Sequence, residues 1–410
     1  MRRRVGPQFR DGREAGWNMR FRQAIAQNAV RRLRGPHRVE RAASLSGRLD
    51  IHLAWVASTG TLDLAVIAAN RRALPTAACE GVLLAIDIGG TKTQFVCYDV
   101  ATEMPRRFRV RTHAAGRAGR PALHRLIDAA KYCAQFGIGS PLLAVAAVFP
   151  GIVHANHLLM APHTPGLEGM DLHNEFATAF GSTTIILDND VKAGCLAEHV
   201  CGVLRGADQA LYLNIGTGLS AAAIFGGEVY RGHNGAALEI GYQLTPFLDG
   251  AEASQWVGWR DGAAPMEALF SGASLDAQAQ RILGPAGTAK DLFQSAQTRV
   301  QQDLQRRSDA LAAQLVNLSI AFDVERIAIG GGVSRQYPVF APKLERLLQR
   351  LVPFPPTLCR ARFADDAPLW GALELARRAA HLPPLPDSVF DPATETDQGF
   401  PDRPPKEQIG

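Results

Sequence analysis

The stretch LLAIDIGGTKTQFVCYD, Leu83–Asp99, ends an apolar run in a carboxylate and then sets two glycines, a threonine and a lysine before a second apolar run. The two runs read as strands, so the glycines lie at the bend between them. Glycine permits an unusual φ and a close approach, which leaves backbone N–H groups and the Thr91 hydroxyl free to point at phosphate oxygens. Asp87 repels a phosphate; its carboxylate suits Mg²⁺, held directly or through water. Taken alone, the same residues also make an ordinary tight hairpin.

A second copy of the pattern changes that balance. Setting LAIDIGGTKTQFVCYD (84–99) above LYLNIGTGLSAAAIFG (211–226) without gaps aligns Asp87 with Asn214, Ile88 with Ile215 and Gly89 with Gly216. Two related lobes follow, each offering one phosphate-facing hairpin. A third glycine-bearing turn, IAIGGGVS (Ile327–Ser334), suits backbone lying against an adenosine, or a strand-to-helix turn with no ligand. Strand-like runs (VLLAIDI, TQFVCYDV, RFRVRTH, LLAVAAVF, TTIILD, ALYLNI, SAAAIFGG, RIAIGGG) alternate with helical spacing in PALHRLIDAAKYCAQFG, NDVKAGCLAEHVCG and SDALAAQLVNLSIAFD. This alternation predicts an α/β protein with two lobes and a nucleotide in the cleft between them.

Composition bounds the remainder. With 410 residues, 47% of them hydrophobic, the chain can bury two substantial cores. No uncharged apolar run is long enough to span a membrane. The cysteines Cys79, Cys97, Cys133, Cys195, Cys201 and Cys359 form no C-x-x-C pair, which fits reduced thiols and a cytoplasmic location. The net charge is +5, yet residues 1–80 hold 15 arginines against six acids, a balance of +9, leaving −4 on the rest. That basic leader is open between a nucleic-acid arm, a targeting segment and sequence outside the folded unit. At the other end, residues 383–410 carry seven prolines and no apolar period, and read as a disordered tail.

Chemistry in such a cleft needs a base. TTIILDNDVKAGCLAEHV puts Asn189 and Asp190 where a strand gives way to a helix, a rigid place from which a carboxylate can take a hydroxyl proton. The competing reading makes Asp190 or Asp188 only a helix cap.

From about residue 83 to 380 the chain resembles the ROK family (repressors, open reading frames and kinases) of the actin-like ATPase superfamily. IDIGGTKT resembles its first phosphate loop, FPGIV its sugar-side loop, LDNDVKAGCLAE its catalytic segment, LNIGTGLSAAAIFGGEVYRGHNGAALEIGY its long signature, and IAIGGGVS its adenosine loop. The resemblance implies two ribonuclease H-like lobes, 81–200 and 201–382, and an ATP-dependent kinase acting on a hexose-like sugar. By that analogy Asp190 is the general base, and Gly151, Asn189 and Glu239 hold sugar hydroxyls, with His163 and Tyr242 beside them. Asp87 organises Mg²⁺. Gly89, Gly90, Thr91, Lys92, Gly216, Thr217 and Gly218 surround phosphates, and Gly331 and Gly332 adjoin the adenosine. A homodimer is also implied.

Departures from the pattern are as informative. Family members commonly place histidine after E-I-G and then a zinc-binding cysteine cluster; here Tyr242 follows, and the next thirty residues contain no cysteine, so no zinc is expected. Lys192 and His163 stand where asparagine is common, and Ser220, Ala221 and Ala222 replace a run of glycines. Together these changes point to an altered substrate, or to a lobe that binds sugar without turning it over. The rival function is a sugar-responsive repressor, because family repressors carry a winged helix-turn-helix of about this leader's length. Against it, RLDIHLAWVASTG lacks the polar face of a recognition helix, and sugar sensing alone has no use for an intact DIGGTK.

Overall fold

The computed structural model divides into two units, Met1–Ala77 and Ala78–Gly410. It describes residues 80–390 and 396–397, apart from 113–117, 136–139, 162–163, 165, 246–251 and 253–255. The basic leader, 1–80, therefore lies outside the described residues except for Glu80.

The first lobe runs β1 (Val82–Ile88), β2 (Lys92–Asp99), β3 (Met104–Arg111), α1 (Arg120–Ala134), β4 (Leu142–Phe149), β5 (Ile152–His154), β6 (His157–Met160), α2 (Leu172–Phe180), β7 (Thr184–Asn189) and α3 (Asp190–Cys201). The second runs β8 (Gln209–Ile215), β9 (Leu219–Phe225), β10 (Glu228–Tyr230), α4 (Pro265–Leu269), α5 (Gly272–Leu283), α6 (Ala289–Gln294), α7 (Thr298–Phe322), β11 (Arg326–Gly330), α8 (Tyr337–Leu351), β12 (Thr357–Arg360) and α9 (Ala367–Ala379). A two-residue strand, β13 (Thr396–Asp397), pairs with β3.

The two sheets repeat one plan. Their orders are β3-β2-β1-β4-β7 and β10-β9-β8-β11-β12, with β13 added at the first edge. In each, three strands form an antiparallel meander and two more join in parallel. The internal repeat is thus a repeat of topology. Its gapless alignment holds only as far as the turn: Ile88 pairs with Thr93, whereas Ile215 pairs with Leu219. The first bend is one residue longer, so beyond it Gln94 matches Ser220.

Strand periodicity decides which residues face the space between the lobes. In β1, Val82, Leu84, Ile86 and Ile88 pack beneath α1 and α2 in one core, while Leu83 and Ala85 join another shared by both sheets. Asp87 continues the second set. In β8, Leu211, Leu213 and Ile215 pack under α4–α8, while Ala210 and Tyr212 join the shared core. Asn214 continues that set.

The shared core is built on α3 and α9. Helix α3, which follows β7 of the first sheet, packs mainly on β8 and β9 of the second. Helix α9, which follows β12 of the second sheet, packs on β1 and β4 of the first. The exchange binds each lobe through a helix that follows the other's last strand. Small residues let the two helices meet: a Cβ added at Gly371 would lie 1.9 Å from the carbonyl oxygen of Ala193. Within the Pro-rich segment that begins at 383, Val389 and Phe390 are buried in the shared core, Phe390 with its ring against Trp370.

Gly371→Ala should therefore destabilise the fold, by about 1–3 kcal/mol as overpacking does, although the same change in an unobstructed helix is stabilising. The urea midpoint, at unchanged m value, reads the sign.

Candidate active site

A cavity of about 470 Å³ opens where the central hairpins of the two sheets face each other. Gly89, Gly90 and Thr91 of the first hairpin line it, with Asn214, Thr217, Gly218, Leu219 and Ser220 of the second. Pro150, Gly151, Ile152 and Met160 form one side; Asn189, Asp190 and Val191 lie at the start of α3; Glu239, Tyr242 and Glu267 complete the wall.

The cap of α3 is Asn189. Its Oδ1 accepts from the amide of Lys192 at 2.9 Å, and its Nδ2 donates to the carbonyl of Gly151 at 2.8 Å and to Asp190 Oδ1 at 3.1 Å. Asp190, first residue of the helix, also accepts from the amide of Val191 at 2.8 Å. Capping is thus done by the amide, and Asp190 stands at the cavity wall with only Oδ1 engaged by these bonds. Asp188 does not cap either. Its Oδ1 accepts from the amide of Asn189, and its Oδ2 accepts from Arg231 Nη2 at 2.5 Å. Gly151 is required by geometry: its φ is +132°, and a Cβ there would sit 1.9 Å from the carbonyl of Met160.

Glu239 closes the wall from the second lobe. Its Oε2 accepts from Ser220 Oγ at 3.2 Å, and its Oε1 lies 3.6 Å from the ammonium of Lys192, a side chain only 1% exposed. Glu267 holds the second hairpin by accepting from the amide of Leu219 at 2.8 Å. The carbonyls of Gly216 and Thr217 accept from the first amides of α5, Gly272 at 2.8 Å and Ala273 at 3.1 Å.

The carboxylates are electrostatically linked. Burial, then the nearby charge of Asp87, push the Asp190 carboxyl up to about 8. Burial pushes Asp87 up to about 6, opposed by a hydrogen bond from Gln94 and the charge of Lys92. Gln94 Oε1 accepts from Arg107 at 2.8 Å, and Arg107 pairs with Asp366 just before α9. Burial also raises Glu239, against the lowering effect of Lys192.

Of the residues read from sequence, the cavity gathers Gly89, Gly90, Thr91, Gly151, Asn189, Asp190, Thr217, Gly218, Glu239 and Tyr242. Asp87 and Gly216 stand behind this surface. Lys92 begins β2, and its carbonyl accepts from the Gly89 amide at 3.0 Å. Gly331 and Gly332 follow β11 beside Asn214 and Asp365. His163 lies outside the described residues. Sequence reading missed Glu267, since nothing local to PMEAL shows that it reaches a hairpin 48 residues earlier. Ser220 and Lys192 were visible only as departures from a pattern.

Comparison with known proteins agrees with this architecture. The profile of the ROK family matches residues 83–379. The chain is 24% identical over 301 residues to the N-acetyl-D-glucosamine kinase of Vibrio cholerae, covering 70% of this chain and 96% of that one. It is 28% identical over 275 residues to the kanosamine kinase of Amycolatopsis mediterranei, covering 66% and 86%. A ROK family glucokinase from Streptomyces griseus, solved in complex with glucose and AMPPNP, superposes with a TM-score of 0.59 at 22% identity, covering 73% of this chain and 100% of that one.

The buried charge of Asp190 is measurable without any ligand. A carboxyl raised by folding favours the folded state fully below its unfolded value near 3.8, and loses that contribution as pH rises through its folded value near 8. Asp190→Asn keeps an oxygen for the Val191 amide and removes the charge. Its melting temperature should exceed that of the wild type by a margin that is small at pH 4 and widens up to pH 8; a margin constant with pH would contradict this electrostatic account.

Proposed function

The chain belongs to the ROK family, and on that premise we propose that it is a sugar kinase, moving the γ-phosphoryl group of ATP to a hydroxyl of a hexose-like sugar. The relatives named as sugar kinases and the AMPPNP-bound glucokinase support the reaction class and the donor. One juxtaposition carries the reading for this chain: an uncapped carboxylate, Asp190, on the wall of the same cavity as two glycine-bearing hairpins.

Gly151, Asn189 and Glu239 hold sugar hydroxyls in this proposal, with Tyr242 beside them; His163 belongs to the same expectation but not to the described residues. Asp190 takes the proton of the attacking hydroxyl. The new oxygen–phosphorus bond forms as the β,γ-bridging bond breaks, and ADP departs with that electron pair. Gly89, Gly90, Thr91, Gly216, Thr217 and Gly218 offer backbone to the phosphates, Lys92 its charge, and Gly331 and Gly332 a surface for the adenosine. Closure of the lobes excludes water, which would otherwise compete as acceptor.

Magnesium fits the donor chemistry. Asp87 is a buried carboxylate whose ionisation is opposed by burial and favoured by the Gln94 hydrogen bond and the charge of Lys92, and a divalent ion held by one carboxylate, phosphates and waters needs no larger protein cage. When bound, the ion would neutralise charge on the phosphate oxygens. Homodimerisation stands as a further proposal, and so does the regulatory alternative, whose DNA-binding segment would be residues 1–80. No helix among the described residues is long and apolar enough to cross a membrane.

Coupled ADP release should be measured over a panel of hexoses and amino sugars. At least one sugar should stimulate turnover by the wild type, and Asp190→Asn should lower kcat by about 10²–10⁴-fold, the range for loss of a general base. Absence of any sugar-stimulated turnover by the wild type would remove the kinase assignment. Salt-sensitive DNA binding that needs residues 1–80 and shifts with sugar would replace it with the regulatory one.

A further inference from the structure

Lys192 sits two residues after Asp190 in the first turn of α3, with its side chain 1% exposed. Its Nζ has no hydrogen-bond partner among the described residues, and neither has Glu239 Oε1, 3.6 Å away. The other oxygen of Glu239 accepts from Ser220. Lys192 and Ser220 are two of the departures noted in the sequence, 28 positions apart; the fold delivers both to one carboxylate. A buried ammonium without a counter-charge is far costlier than an exposed one, so Lys192 and the partly buried Glu239 act as a unit. Glu239, not Lys192, lines the cavity, and the other charged groups on that wall are Asp190 and Glu267. Among the described residues, no lysine or arginine side chain lines it.

We propose that Lys192 is a specificity-determining positioning residue: from behind Glu239 it supplies the counter-charge internally, fixing that carboxylate as an acceptor for the hydroxyls of an uncharged sugar. The proposal rests on the sugar kinase reading and narrows its substrate class. With the internal cation in place, a sugar that brings its own ammonium gains little from Glu239. Without it, Glu239 faces Asp190 from α3, Glu267 from α4 and Tyr242 from its own loop with no cation among them; it then either holds a proton or draws a cationic substrate. The raised position of the Glu239 carboxyl, opposed by Lys192, agrees with this arrangement.

The test compares glucose with glucosamine, whose free amine is protonated at pH 6.5, in the wild type and in Lys192→Met and Lys192→Arg. The wild type should favour glucose. Lys192→Met should raise the ratio of kcat/KM for glucosamine over glucose at least tenfold, through KM more than kcat, and make KM for glucose climb as pH falls from 8 to 6. Lys192→Arg should restore the wild-type ratio. An unchanged ratio and an unchanged pH profile in a folded Lys192→Met protein would overturn the proposal. A stability cycle separates this failure from failure of the kinase reading, and covers poor folding of the single variant. Lys192→Met and Glu239→Gln should each lower the urea midpoint, and the double variant should lose less than their sum. Additive losses would overturn the pairing whether or not either sugar is phosphorylated.

Discussion

Helices α3 and α9 cross with the backbone of Gly371 against the carbonyl of Ala193, and this contact sets how closely the two sheets can approach a common core. Each helix follows a parallel edge strand of one sheet, α3 directly and α9 after a short turn over Ala364–Asp366, and lies on the other sheet. The first turn of α3 therefore lies between the lobes, so whatever residue starts that helix is presented to both hairpins. Asp190 is that residue, and Asn189 takes over the capping that would otherwise occupy it. Burial of the crossing and presentation of the carboxylate to the cavity are two results of one packing choice.

The same closeness has an electrostatic cost. On top of burial, the charge of Asp87 raises the proton affinity of Asp190, and Glu239 adds to it. The chain answers with cations placed behind the wall rather than on it: Arg107 with Asp366 and Gln94 near Asp87, Lys192 near Glu239, and Arg231 on Asp188. None of the three lines the cavity. A surface left anionic in this way repels a bare phosphate, which suits a reaction whose polyanionic partner arrives with a divalent ion.

Much of this was legible in the sequence because strand and turn signals are local. Asp87, Gly89 and the matched Asn214 and Gly216 stand out within sixteen residues each, and parity alone puts Asp87 and Asn214 on the faces that meet. Long-range facts were not legible. The one-residue difference between the two bends cannot be seen in a gapless alignment, since Thr93 and Leu219 are both plausible first residues of a strand. Helix α7 begins at Thr298, ten residues before its apolar spacing becomes dense, because Val300 and Leu304 alone hold its polar start to the core. The exchange of α3 and α9 depends on which sheet offers a complementary face. The burial of Val389 and Phe390 was hidden by the prolines around them.

Besides the extra residue in the first bend, the pseudo-symmetry of the lobes breaks at a polar position, and charge explains why. Asp87 and Asn214 end equivalent strands and face the same shared space, yet one is an acid and the other an amide. A second acid at 214 would stand on the lining surface beside Ser220, near Glu239, with Lys192 already committed to that carboxylate. An amide keeps the shape of the side chain and offers both a donor and an acceptor without a further desolvated charge. The duplicated hairpins can then take different roles, the first carrying the carboxylate suited to a cation and the second offering uncharged donors to phosphate oxygens. Divergence at this polar position, beside the one-residue difference in length, gives the two bends different chemistry within one cavity.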